Sequence, residues 1–136
     1  MDEAECRLRF AAAPVARLAT RGTAGPRLVP IVFATFGDRI VTAIDDKPKT
    51  TTRLKRLEDI STDPRVALLT DHYEDDWTAL WWVRADGLAE IIEKGSSHRA
   101  AVDQLVVKYE QYRTQRPTGP VIAVSVTRWS GWSGAG

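Results

Sequence analysis

The chain has 136 residues, 43% hydrophobic and 27% charged, with 19 Lys and Arg against 18 Asp and Glu for a formal net charge of +1. This is the composition of an ordinary soluble domain, or of one subunit of an oligomer with a shared site; it excludes a general nucleic-acid binder, which carries a basic excess over a whole face, and no apolar run reaches the roughly 20 residues a membrane helix needs. The single cysteine, Cys6, excludes an internal disulfide, and the N-terminus lacks the basic-then-apolar pattern of a signal peptide, so the cytoplasm is the expected compartment.

Residues Asp2 to Ala13, rich in Ala, Glu, Leu and Arg and ended by Pro14, read as a short packing helix. Val15 to Thr20 follows as a strand, and Arg21 to Pro26 supplies turn chemistry. Arg27 to Phe36 reads as a second strand with Pro30 inside it; a proline there removes one ladder N–H, so the strand lies at an edge or bulges. Gly37-Asp38 reverses the chain into Arg39 to Asp45, which makes three consecutive antiparallel strands, a meander or barrel rather than a doubly wound sheet. No GxGxxG, GxxxxGK[ST] or internal repeat is present.

The stretch Ile40 to Leu69 gathers the charge. After the apolar run of Ile40, Val41, Ala43 and Ile44 comes the turn Asp45-Asp46-Lys47-Pro48-Lys49, then helical spacing from Thr50 to Ile60, then a strand from Val66 to Leu69 past the Asp63-Pro64 breaker. Leu54, Leu57 and Ile60 recur toward a core, while Lys49, Arg53 and Arg56 lie on another side. Lys47, Lys49, Thr50, Thr51, Thr52 and Arg53 bring cations, hydroxyls and unpaired helix N–H groups to one strand-turn-helix junction, a place to hold a phosphate; a solvated basic face is the alternative.

The loop Asp71 to Trp77 holds four acids and His72, but no second His or Cys stands at ligand spacing, so a solvated acidic loop is expected rather than a metal site. Thr78 to Glu93 reads as a long strand, or two broken at Asp86-Gly87, whose adjacent Trp81 and Trp82 point to opposite faces, one to the core and one to a partner or ligand. A helix from about His98 to Arg113 carries a core stripe of Val102, Leu105, Val106, Tyr109 and Tyr112, with His98 in its capping region. Val121 to Trp129 is the last strand, and Trp129 and Trp132 are expected to bury against a site or a second chain.

About six strands with two to three helices, mainly β with flanking helices, fit a split β-barrel. Arg27-Leu28-Val29-Pro30-Ile31, the strand Ile40 to Asp45, Lys47-Pro48-Lys49 leading to Leu57, Asp63-Pro64-Arg65-Val66-Ala67-Leu68 and the closing Arg128-Trp129-Ser130-Gly131-Trp132 together cover most of the chain. In their order and spacing the sequence resembles the pyridoxamine 5′-phosphate oxidase-like superfamily, and more closely its deazaflavin branch, the coenzyme F-420-dependent reductases. The resemblance implies a homodimer with two cofactor sites at the subunit interface. It implies that Lys49 is the phosphate lysine, within a turn of Lys47, Pro48, Thr50 and Arg53. Thr42, Ala43, Ile44 and Asp45 match the strand lining the ring or ribityl chain, and Pro30, Ile31 and Val32 the strand facing the tricycle. The chain departs from the true oxidases in lacking a C-terminal Arg-x-His signature, so oxidation of pyridoxamine phosphate is not expected.

A deazaflavin or flavin performs hydride transfer itself, which fits the lack of any defensible Cys-His or Ser-His-Asp machinery; no catalytic side chain and no metal are assigned. F-420 extends past its phosphodiester into carboxylates and asks for a longer cationic track than FMN, which Lys47, Lys49, Arg53, Lys55 and Arg56 offer. The reading is an F-420-dependent oxidoreductase passing a hydride to a small, planar, electron-poor substrate stacked near Trp77, Trp81 or the partner subunit's Trp132. The alternatives are an FMN-binding reductase of the same fold and a non-catalytic F-420 carrier.

Overall fold

The computed structural model describes residues 1–44 and 51–135, with side chains at all of these except 51–54. Helix α1 (Glu3–Ala12) starts at Asp2, whose carboxylate accepts the Glu5 N–H at 2.8 Å, and Glu3 and Glu5 in its first turn with Arg9 in its last suit the helix dipole. Strands β1 (Ala16–Gly22) and β2 (Gly25–Ile31) form one hairpin, and β3 (Ala34–Phe36) and β4 (Arg39–Ala43) a second, turned at Gly37 with φ 57°. Then come α2 (Thr51–Thr62), β5 (Arg65–His72), a 3-10 turn (Trp77–Ala79), β6 (Trp81–Ile92), α3 (Ser96–Lys108), the single-turn α4 (Gln111–Thr114) and β7 (Val121–Ser133).

The seven strands form one antiparallel sheet in the order β2-β1-β5-β6-β7-β4-β3. Its two edge strands, β2 and β3, are consecutive in the chain and joined by Val32 and Phe33 alone, so the sheet curls until its edges approach and remains a barrel split at that seam. The fold is the split β-barrel read from the sequence. Two details differ. Residues 27–36 make two strands rather than one, because the Phe33 N–H and carbonyl both bond the Tyr109 hydroxyl instead of a neighbouring strand. The expected three-strand meander is therefore two hairpins at opposite edges of the sheet. Pro30 sits on edge strand β2, opposite Arg17, where its missing N–H leaves no ladder bond unmade.

Inward residues of the strands and α1 fill the barrel: Phe10, Leu18, Phe33, Ile40, Leu68, Val83 and Ile122 are each less than 2% exposed. Burying a side chain of this kind contributes about 1.5–3 kcal/mol. Phe10 packs on Phe33 and edge-on to Trp129, with ring centroids 4.9 and 5.3 Å apart. Trp129 is thus half-buried by its own chain. The run Val121 to Val124 is buried throughout because β7 is covered on both faces: Ile122 and Val124 face the barrel, while Val121 and Ala123 meet Val102 and Leu105 of α3.

Strand β6 is continuous, with a register shift against β7 at Asp86-Gly87 that keeps Gly87 against the Ser125 backbone. The residues expected as a tail extend β7 to Ser133, so Trp132 pairs with Trp82. Helix α3 ends earlier than expected, at Lys108, where Tyr109 turns extended (φ −117°, ψ 118°) and carries its hydroxyl to Phe33.

Candidate functional site

Alternation along the strands turns a second set of side chains away from the barrel. Strand register lines them up in rows across the sheet: Pro30, Arg17, Leu69, Arg84 and Ser130 in one, Leu28, Ala19, Ala67, Asp86 and Arg128 in the next. On this face lies an open groove of about 500 Å3, with Ala19, Leu28, Ala67 and Leu69 as its apolar part, Tyr73 and Trp82 beside them, and Arg17, Arg84 and Asp71 as its charges. Leu28 is 70% and Tyr73 64% exposed, a cost in water that a ligand or a second protein surface would remove. Arg84 Nε donates to Asp86 at 3.1 Å and Arg17 stands 3.9 Å from Asp71. Such exposed pairs hold little energy, about 0–1 kcal/mol, and can be exchanged for others.

The residues singled out from sequence separate into three groups. Pro30 is exposed on the groove face, and Val32 and Ala43 are half-buried, Ala43 against the cluster that α3 forms with β4 and β7. Ile31, Thr42 and Ile44 are 7, 5 and 2% exposed and face the core, so they can offer a ligand only main-chain groups. The Thr42 hydroxyl donates to the Val32 carbonyl at 2.7 Å, and the Ile44 N–H to the Pro120 carbonyl at 2.8 Å. Asp45, Lys47, Pro48, Lys49 and Thr50 lie outside the described residues, as does the side chain of Arg53 in α2.

The tryptophans invert one expectation. Trp81 is half-buried against the barrel core with the Arg9 guanidinium 5.4 Å above its ring, whereas Trp82 lines the groove. Adjacency in the strand gave two opposite faces but not which ring took which. Trp77 is 77% exposed on the 3-10 turn, whose first N–H groups are capped by Asp76, and Trp132 is 44% exposed beside Trp82.

Outside the groove, both histidines and Asp76 are engaged. His72 Nε2 lies 2.7 Å from Glu74, Asp76 accepts the Thr78 N–H and hydroxyl, and His98 Nε2 lies 2.8 Å from the Gly119 carbonyl. Among the described residues no three His, Cys, Asp or Glu side chains cluster as a metal site would require. Burial pushes the Cys6 thiol above its usual range, away from nucleophilic use. Sequence reasoning took Tyr109 as packing alone and did not single out Lys108; the polar tip of Tyr109, at the C-cap of α3 between Lys108 and Glu110, left no periodic signal of its hydrogen bonds.

Helix α2 begins at Thr51, and no acidic residue of its own first turn offsets its N-terminal dipole. A phosphate fits such a terminus and a cation does not. The groove's volume lies in the range of about 300–1,000 Å3 typical of small-molecule sites, and Tyr73 and Trp82 give it planar aromatic surface.

A family model described as pyridoxamine 5′-phosphate oxidase matches residues 2–133. Among curated proteins nothing matches. Of solved structures, protein Rv2991 from Mycobacterium tuberculosis superposes with a TM-score of 0.79 at 21% identity, covering 98% of this chain and 86% of that one. A FAD-binding protein from Mesorhizobium loti gives 0.76 at 20% identity, over 96% and 92%. A heme binding protein from Mycobacterium smegmatis gives 0.71 at 21% identity, over 96% of this chain and 57% of that one. Likeness at this identity shows the fold, and the same fold holds different ligands in different proteins. With the seam, the curled sheet and a match over nearly the whole length, the chain belongs to the pyridoxamine 5′-phosphate oxidase family.

Proposed function

We propose that this protein is an oxidoreductase that binds coenzyme F-420 and passes a hydride between it and a small, planar, electron-poor organic substrate, as a homodimer with its cofactor sites at the subunit interface. The observation that carries the reading is the groove: an aromatic and aliphatic trough with arginines at its edge, open on the face that also exposes Pro30. A second copy laid over this face covers Leu28, Tyr73 and Trp132, and the surface arginines and aspartates on it supply self-complementary charge.

When bound, the coenzyme supplies the hydride chemistry. The chain's own part is to bind, orient and exclude water. The N-terminal turn of α2, with Lys47, Lys49, Arg53 and Lys55 around it in sequence, takes the phosphate and the acidic tail; Pro30, Val32 and Ala43 take the edge of the ring; Trp82 gives the substrate a planar neighbour.

A second reading, an FMN-binding reductase, is supported by the likeness to the FAD-binding protein from Mesorhizobium loti. Titrating the purified protein with F-420 and with FMN separates the two, with tighter F-420 binding expected and tighter FMN binding reversing the choice. Lys49→Ala is expected to weaken the preferred cofactor without unfolding the protein. Sedimentation is expected to give a dimer. F-420 binding without turnover of any electron-poor acceptor would make the protein a carrier.

A further inference from the structure

The seam between the sheet's edges is held by one side of α3. The Tyr109 hydroxyl accepts the Phe33 N–H at 3.0 Å and has two carbonyls, Phe33 and Pro14, each 2.9 Å away, to receive its own proton. Its neighbour Lys108 donates to the Ala13 carbonyl at 2.7 Å with its ammonium 3.7 Å above the Phe33 ring. From the other side Thr42 bonds the Val32 carbonyl at 2.7 Å. Both polar backbone groups of Phe33 and the carbonyl of Val32 are therefore taken by side chains, in the two-residue link that joins β2 to β3.

A link this short, with its backbone polar groups satisfied by side chains rather than by a ladder, takes whatever path those side chains dictate. Pro30 and Ile31 just before it, with Val32 in it, are the residues the proposed function sets against the cofactor ring. From this geometry we infer that Tyr109 is a positioning residue: its hydroxyl fixes the path of Val32–Phe33 and so the pitch of the Pro30–Val32 edge that receives the ring, with Thr42 as its counterpart on β4. This inference rests on the proposed function; it adds Tyr109, which touches no ligand itself, and gives the Thr42 hydroxyl a positioning part. A displacement of about 1 Å in a supporting segment is enough to lose orientation at a site.

The test compares Tyr109→Phe, Thr42→Val and Thr42→Ser with wild type, and with Val83→Ala, a core variant on β6, the middle strand of the sheet, expected to lose stability without touching the link. Dissociation constants for F-420 and FMN and the circular dichroism induced in the bound ring are read for each. Tyr109→Phe and Thr42→Val are expected to weaken binding at least tenfold and to diminish the induced signal. Thr42→Ser, which keeps the hydroxyl, is expected to restore both, and Val83→Ala to keep wild-type affinity at a lowered melting temperature. Wild-type affinity and signal in Tyr109→Phe, or losses in Val83→Ala equal to those in Tyr109→Phe, overturn the inference alone. Wild-type protein that binds neither coenzyme overturns the proposed function and this inference together.

Discussion

Arg27 on β2 places its Nε 2.7 Å from the Asp59 carboxylate of α2, and the same carboxylate oxygen accepts the Thr20 hydroxyl at 2.8 Å. One carboxylate thus ties helix α2 to the β1–β2 hairpin. Asp59 is 6% exposed and Thr20 3%, so the triad is largely out of water. Asp59→Ala leaves a buried hydroxyl and a half-buried guanidinium without their acceptor, and unfolding should become easier by about 2–4 kcal/mol. Chemical denaturation checks this; a loss near zero would mean that the triad does not anchor the helix.

Acid should weaken the same region. The Arg27 hydrogen bond holds the Asp59 carboxyl below its usual range, and the Arg65 guanidinium and N–H hold Asp63 at about 2. In both cases the folded value lies below the unfolded one, so the stabilisation is complete above the unfolded pKa of about 4 and is lost as pH falls through the folded value. Denaturation midpoints should be flat from pH 7 to 5 and fall between pH 4 and 2. Asp63→Asn should make that fall shallower.

Base acts in the opposite sense through Lys108. Burial pulls its ammonium down to about 8, against an unfolded value of about 10.4, so between these values the unfolded chain holds the extra proton and stability rises with pH. Burial raises the Tyr109 hydroxyl above its ordinary value, which opposes the rise only beyond pH 10. Denaturation at pH 7.5, 8.5 and 9.5 should therefore show increasing stability, and Lys108→Met should remove the slope. A slope unchanged in the variant would assign it to another group.

How far the sequence spoke depends on whether a feature is local and periodic. The missing N–H of Pro30 left an edge or a bulge, of which the sheet order takes the edge; Asp86-Gly87 left a break or one long strand, of which the pairing takes the long strand with a register shift; and the opposed faces of Trp81 and Trp82 followed from the pleat. The division of residues 27–36 into two strands did not follow, because its cause, the Tyr109 hydroxyl, lies 76 residues further along the chain. The groove was invisible for the same reason: Leu28, Leu69 and Trp82 become neighbours only through the pairing of β2, β1, β5 and β6. Trp81 was set in the site for want of a phase, which the packing of α1 supplies through Arg9.

The bulge gives a steric prediction. A Cβ on Gly87 would come within 2.5 Å of the Ser125 carbonyl oxygen and 2.8 Å of a Val124 methyl, and the first contact is backbone held in the β6–β7 ladder. Gly87→Ala should cost about 1–3 kcal/mol, the range for overpacking a site that cannot relax. A melting temperature within a degree of wild type would show that the two long strands can slide apart at this point.

The two adjacent tryptophans give the sharpest separation between stability and assembly. Trp81 packs on the barrel core under Arg9, so Trp81→Ala removes buried area and should destabilise each protomer by about 3 kcal/mol. Trp82 lines the open groove beside Trp132, and its truncation removes surface that the protomer alone does not bury. In the proposed homodimer, Trp82→Ala should therefore leave unfolding of the isolated protomer nearly unchanged while raising the dimer dissociation constant at least tenfold, as expected of an aromatic anchor at the centre of an interface. Sedimentation across a dilution series, set beside denaturation at the lowest concentration, reads the two effects separately. If Trp82→Ala melts early and still dimerises like wild type, the groove face is part of the fold's support and the second copy binds elsewhere.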